Sequence, residues 1–127
     1  MKLVLVAVLF ALGAPAQGSD ELRVTYWPEG RDRGVASRWT LRCSPAGGTL
    51  PQAAVACTRL GRMTAPFAPL PKGLACTEIY GGPQEAIVAG TYKGRRVWIR
   101  LGLRNGCEIS RFERLRFLVP TFRGGDP

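Results

Sequence analysis

Residues 22–27 (Leu-Arg-Val-Thr-Tyr-Trp) alternate apolar and polar side chains with period two and are rich in strand formers; Pro28-Glu29-Gly30 closes the stretch as a turn. The alternation returns at residues 38–43, placing Trp39, Leu41 and Cys43 on one face, and Ser44-Pro45-Ala46-Gly47-Gly48 stops it. The pattern then changes to a helical one. Thr49 reads as an N-cap, with Pro51 in the first turn and Gln52 completing a capping box. A helix of about three turns to Leu60 follows, with Leu50, Ala54, Cys57 and Gly61 on one face. Residues 62–74 carry three prolines and read as irregular, with room for one short helical turn. Residues 86–92 and 95–104 form a predicted hairpin around Lys93-Gly94, where glycine supplies the positive φ of a tight turn. In its second arm Val97, Ile99, Leu101 and Leu103 face one way, and Trp98 and Arg100 the other. Residues 115–119 are read as a last strand. The sum is an α+β fold: about five antiparallel strands, with one main helix, and room for a second short one, packed on one face.

Ahead of this pattern, Met1-Lys2, an unbroken apolar run over residues 3–12 and Ala14-Pro15-Ala16 have the form of a secretory signal. A membrane anchor is the competing reading, but ten apolar residues rise only about 15 Å as a helix, half of a bilayer core. The expected organisation is a signal peptide over residues 1–16 and one domain over 17–127, secreted and extracellular, with residues 123–127 disordered. No stable membrane anchor is expected.

Export bears on the four cysteines, Cys43, Cys57, Cys76 and Cys107. An even count in a small exported chain implies two disulfides. Zinc is the alternative, yet there is no CxxC pair and the chain has no histidine. Three pairings are open; the predicted helix brings Cys57 within reach of Cys43. The sequential pairing would stabilise by roughly 3 and roughly 4 kcal/mol through loop closure.

The lack of histidine also excludes Ser-His and Cys-His triads, HExxH zinc sites and every imidazole base, so hydrolase chemistry of the common kinds is not expected, nor is a cofactor or a metal. The net charge is +9, with 18 Lys and Arg against 9 acids. The basic residues are scattered and carry no nucleic-acid signature, so they read as solvated faces that steer encounters with acidic partners, with no nucleic-acid partner.

One segment stands apart: Cys76-Thr77-Glu78-Ile79-Tyr80-Gly81-Gly82-Pro83. It is extended, β-branched and aromatic, starts at a half-cystine and cannot continue as a strand through Pro83. Such a stiff loop suits presentation to a partner that accepts extended peptides by strand addition. An ordinary strand end with a surface glutamate is the other reading of the same residues.

With Tyr26-Trp27-Pro28, Trp39-Thr40-Leu41-Arg42-Cys43, Pro45-Ala46-Gly47-Gly48-Thr49, Pro66-Phe67-Ala68-Pro69, Cys76-Thr77, Ile79-Tyr80-Gly81-Gly82-Pro83 and Asn105-Gly106-Cys107-Glu108-Ile109, the chain resembles the Streptomyces subtilisin inhibitor family, in register from about Leu22 to about Phe112. The resemblance implies secreted inhibitors of subtilisin-type serine proteases, often homodimers joined through their sheets, with sequential disulfide pairing. It places the scissile bond between Glu78 (P1) and Ile79. Thr77, Cys76 and Ala75 become P2 to P4, and Ile79, Tyr80 and Gly81 become P1′ to P3′. Asn105 corresponds to the residue that braces the loop from behind.

Glu78 departs from the Met, Lys or Arg of better-known relatives. A trypsin-like S1 pocket repels it and a closed apolar pocket would strand its charge. The expected partner is an extracellular serine protease, either subtilisin-like with a wide S1 or a glutamyl endopeptidase that supplies donors. Two other readings compete. One is a cationic exported protein that binds anionic cell-surface polymers on an inactive inhibitor scaffold; the other is a non-inhibitory substrate or regulator of an extracellular enzyme.

Overall fold

The computed structural model describes residues 20–122. The expected signal peptide and the expected disordered tail therefore lie outside the described residues. The chain runs β1 (Glu21–Trp27), β2 (Ser37–Cys43), β3 (Ala46–Gly47), α1 (Ala53–Arg62), β4 (Glu85–Tyr92), β5 (Arg95–Leu101) and α2 (Gly106–Leu115), with a 3-10 turn at Arg116–Leu118. The strands form one antiparallel sheet in the order β3-β2-β1-β4-β5.

The alternation read from the sequence sets the register. Leu41, Leu22, Gly90 and Val97 form one cross-strand row, and Trp39, Val24, Val88 and Ile99 the next. These rows face the helices, where Ala56 and Leu60 of α1 and Phe112 and Leu115 of α2 close a single apolar cluster. Phe122 stacks on Phe112 at 4.0 Å between ring centroids and meets Tyr26 edge-on at 6.2 Å. The opposite face carries Arg23, Arg38, Arg42, Arg96 and the exposed Trp98. Gly90 sits in the inner row for a backbone reason: its φ is +141°, and a Cβ there would run into the Glu21 carbonyl.

The hairpin turns at Lys93-Gly94 with positive φ at both residues, 49° and 74°, the mirror-image turn whose twist matches paired strands. The Gly94 amide also donates to the Asp20 carboxylate, at 3.2 Å to one oxygen, which pins the start of β1. The strand leaving the turn ends at Leu101 rather than residue 104, and after Arg62, the last residue of α1, residues 63–74 hold no helix or strand.

Several further expectations are corrected. Residues 115–119 are not a strand. Leu115 ends α2 and Arg116–Leu118 form the 3-10 turn, because Phe112, Leu115, Leu118, Val119 and Phe122 recur at helical spacing and bury one face. The fifth strand is instead β3, two residues inside the stretch expected only to stop β2. The second helix is as long as the first, ten residues each, rather than a short addition.

Thr49 is not an N-cap either. Its hydroxyl accepts from the Thr40 amide at 2.9 Å, its own amide donates to the Thr40 hydroxyl at 3.1 Å, and the Leu50 amide donates to the Thr40 carbonyl at 2.9 Å. This exchange with β2 delays α1 to Ala53, behind a left-handed Gln52 with no side-chain cap. The inner face of α1 is consequently Ala53, Ala56, Cys57 and Leu60, while Ala54 and Gly61 are exposed. Cys57 still reaches the sheet, and the disulfides are Cys43–Cys57 and Cys76–Cys107.

Candidate functional site

Residues 75–81 cross the surface as irregular loop, in neither helix nor strand. Cys76 is half-buried, whereas Ala75, Thr77, Glu78, Ile79 and Tyr80 are exposed; Ile79 and Tyr80 retain 57% and 69% of their accessible surface. Both apolar side chains stand open to water on a backbone that is supported from behind.

That support comes from three short links. Cys76 is covalently bound to Cys107 in the first turn of α2. The Gly106 amide donates to the Thr77 carbonyl at 2.9 Å, and the Gly81 amide donates to the Leu103 carbonyl at 2.7 Å. Glu78, Ile79 and Tyr80 thus bridge two hydrogen-bonded posts. Both posts leave little room for a side chain. A Cβ on Gly106 would run into the Thr77 hydroxyl, and one on Gly81 would lie 3.0 Å from Ile109 Cδ1 and 3.1 Å from Leu103 Cβ. Past the loop, Pro83 rests its carbonyl over Gly30 in the β1–β2 connection.

The start of α2 is therefore the foundation of the loop. Asn105 is its N-cap: the backbone is extended there (φ −154°, ψ 174°), and the side-chain oxygen accepts from the Glu108 amide at 3.0 Å. Asn105 acts on the helix turn rather than directly behind the loop, and it is the adjacent Gly106 amide that touches the loop backbone. Glu108 in turn accepts from the amide of Arg104, the residue before the cap, at 3.0 Å, so the turn is held from both sides.

A partly buried ion cluster lies beneath. Arg100 Nε donates to Glu85 Oε2 at 3.0 Å and Nη1 to Glu108 Oε1 at 2.8 Å, with the three side chains only 23%, 17% and 18% exposed. Burial pulls the guanidinium pKa down, but the hydrogen bonds and charges of Glu108 and Glu85 outweigh it and raise it above the ordinary arginine value. Gly102 lets this guanidinium fold back over the backbone, since a Cβ there would meet its nitrogens at 2.7 and 2.9 Å. A second arginine, Arg111, is 9% exposed and donates from Nη2 to the Ala68 carbonyl at 2.8 Å, tying α2 to the proline-rich stretch that leads into the loop. Burial lowers its pKa, Arg114 adds to that, and Glu108 opposes it.

The sequence reading assigns no role to Arg100, Arg111, Glu85 or Glu108. Asn105 and Glu108 carry a local signal, the three-residue spacing of a capping box. Arg100 and Glu85 carry none, because their pairing depends on the β4–β5 register. Among the described residues no group of three His, Cys, Asp or Glu is placed to hold a metal, and no cysteine is free.

The sequence model of subtilisin inhibitor-like proteins matches residues 20–105 of this chain. Curated proteins include no match. Among solved structures the chain is similar to Streptomyces caespitosus sermetstatin, in a crystal structure with Bacillus licheniformis subtilisin. The identity is 25%, over 81% of this chain and 98% of that one, with a TM-score of 0.49.

Proposed function

Because the chain belongs to the subtilisin inhibitor-like family, whose members are protease inhibitors and not enzymes, we propose that it is a secreted inhibitor of a serine endopeptidase that works through the loop at residues 75–81. The observation that carries the reading is the exposed Glu78-Ile79-Tyr80 span held between the Thr77 carbonyl and the Gly81 amide. The scissile bond in this reading is Glu78–Ile79. The loop lies along the protease cleft as an added strand, with Glu78 in S1 and Ile79 and Tyr80 on the leaving side. Its ordering is complete before docking, so little conformational entropy is lost on binding. After cleavage the Ile79 amine stays beside the Glu78 acyl group at high effective concentration, and religation outruns hydrolysis.

Glu78 determines which proteases accept the loop. It favours a glutamate-specific enzyme, whose S1 supplies donors to a carboxylate, and is compatible with a subtilisin of wide, partly wet S1. Family members are typically extracellular, in keeping with the expected signal peptide, and no helix among the described residues is long and apolar enough to cross a membrane.

The test is tight-binding titration against a subtilisin and a glutamate-specific endopeptidase, with N-terminal sequencing of any clipped chain. The expected result is inhibition with a new terminus at Ile79. Glu78→Lys should transfer inhibition to trypsin, improving it by about a thousandfold as an S1 charge repulsion becomes an ion pair. A folded, disulfide-intact Glu78→Lys protein with no gain toward trypsin would refute the mechanism.

A further inference from the structure

We infer that Arg100 is a positioning residue that keeps the two arms of the loop in register once the loop has been cut. The inference rests on the inhibitor reading above. A break between Glu78 and Ile79 leaves one arm ending at Glu78, held to the start of α2 by the Cys76–Cys107 disulfide and by the Gly106 amide on the Thr77 carbonyl. The other arm begins at Ile79 and runs through the Gly81–Leu103 bond into β4, whose first residue is Glu85. The distance between the arms then depends on two ties of the second arm to the start of α2: the Gly81–Leu103 bond itself, and the seat of the start of β4, into which that arm leads. Arg100, on β5, bonds both: Glu85 at 3.0 Å and Glu108 at 2.8 Å.

Religation needs that distance. The Ile79 amine attacks the ester carbonyl that joins Glu78 to the protease serine; the C–N bond forms, the ester C–O bond breaks, and the amine proton passes through the enzyme's base to the serine oxygen. Attack requires the nitrogen to remain about 3 Å from the carbonyl carbon, and loss of about 1 Å in such placements is costly. The two bonds of Arg100 are charge-assisted and partly withdrawn from water, so they resist the drift that a surface ion pair would permit.

The experiment compares Arg100→Met with the parent and with Arg116→Met, which removes an exposed ion pair to Glu113 elsewhere on α2. Two quantities are read. One is the ratio of cut to intact chain at equilibrium with catalytic protease. The other, which needs no protease, is amide exchange at Gly81 and Gly106 in the free protein. Arg100→Met should raise both about tenfold, and Arg116→Met neither. Gly102→Ala, which displaces the guanidinium but keeps every charge, should move both in the same direction and serves if Arg100→Met does not fold. Unchanged exchange together with an unchanged cut ratio in a folded Arg100→Met or Gly102→Ala chain overturns the inference. Faster exchange in a chain that no protease cuts at Glu78–Ile79 leaves the tie standing and overturns the inhibitor reading instead.

Discussion

Gly106 shows how one missing methyl serves the site. Its backbone is ordinary helix, so the glycine is there for space: a Cβ would collide with the Thr77 hydroxyl, one residue before the proposed scissile bond. Gly106→Ala should leave stability nearly unchanged, because alanine favours the helix by about 1 kcal/mol, while inhibition weakens about tenfold as Thr77 is pushed outward. Adding Thr77→Ala removes the colliding hydroxyl and should restore most of the lost inhibition. A double-mutant cycle on the inhibition constant measures that coupling, and additive losses would show that the contact does not matter. Neither partner is marked by its neighbours in the chain. Glycine at 106 reads as a loop residue, and threonine at 77 as a strand former.

The element that matters most to the loop is the first turn of α2, and the sequence reading placed the strands better than this helix. Residues 22–27, 38–43 and the two arms of the hairpin were legible because one sheet face is buried, and burial on one side writes itself as strict alternation. The end of α2 was misread since Leu115, Phe117, Leu118 and Val119 make a short apolar run that suits a buried strand as well as a helix; over five residues the two are hard to separate. At α1 the error had another origin. Thr49 has the chemistry of a cap, but Thr40, nine residues earlier, takes its hydroxyl once β2 is in place. For α2 the cap is local and testable. Asn105→Ala should cost about 1 kcal/mol in urea unfolding and weaken inhibition as the Gly106 amide loses its fixed direction. A stability loss with full inhibition retained would separate the cap from the loop.

Two properties belong to the molecule as a whole. Tyr26 and Tyr92 both ionise above the usual phenol value near 10: burial withholds water from each phenolate, with repulsion from Glu29 added for Tyr26 and from Asp20 for Tyr92. The unfolded chain loses these protons first. Their contribution to stability is therefore complete below about pH 10 and declines as pH rises through the folded-state values. Thermal unfolding at pH 8 and pH 11 should show a lower midpoint at the higher pH, and Tyr26→Phe should lessen the drop. The second property is the basic outer face of the sheet. Two copies paired through it, as the resemblance implies, would set Arg23, Arg38, Arg42 and Arg96 against their own kind. Sedimentation velocity should accordingly show monomer at low salt and a growing dimer fraction as salt screens the charge. A dimer that dissociates on adding salt would mean that another surface is used.

The four long strands, the even cysteine count and the absence of imidazole chemistry were present in the order of residues, because each depends on neighbours in the chain or on composition alone. The supports of the loop at residues 75–81 were not. Thr77 with Gly106, Gly81 with Leu103, and Arg100 with Glu85 and Glu108 are contacts between segments brought together only when β4 and β5 pair and α2 packs on the sheet. A local pattern records which face of an element is apolar. The partner that a polar group finds across the fold is selected by register and packing, and it is those partners that turn an exposed strip of peptide into a rigid one.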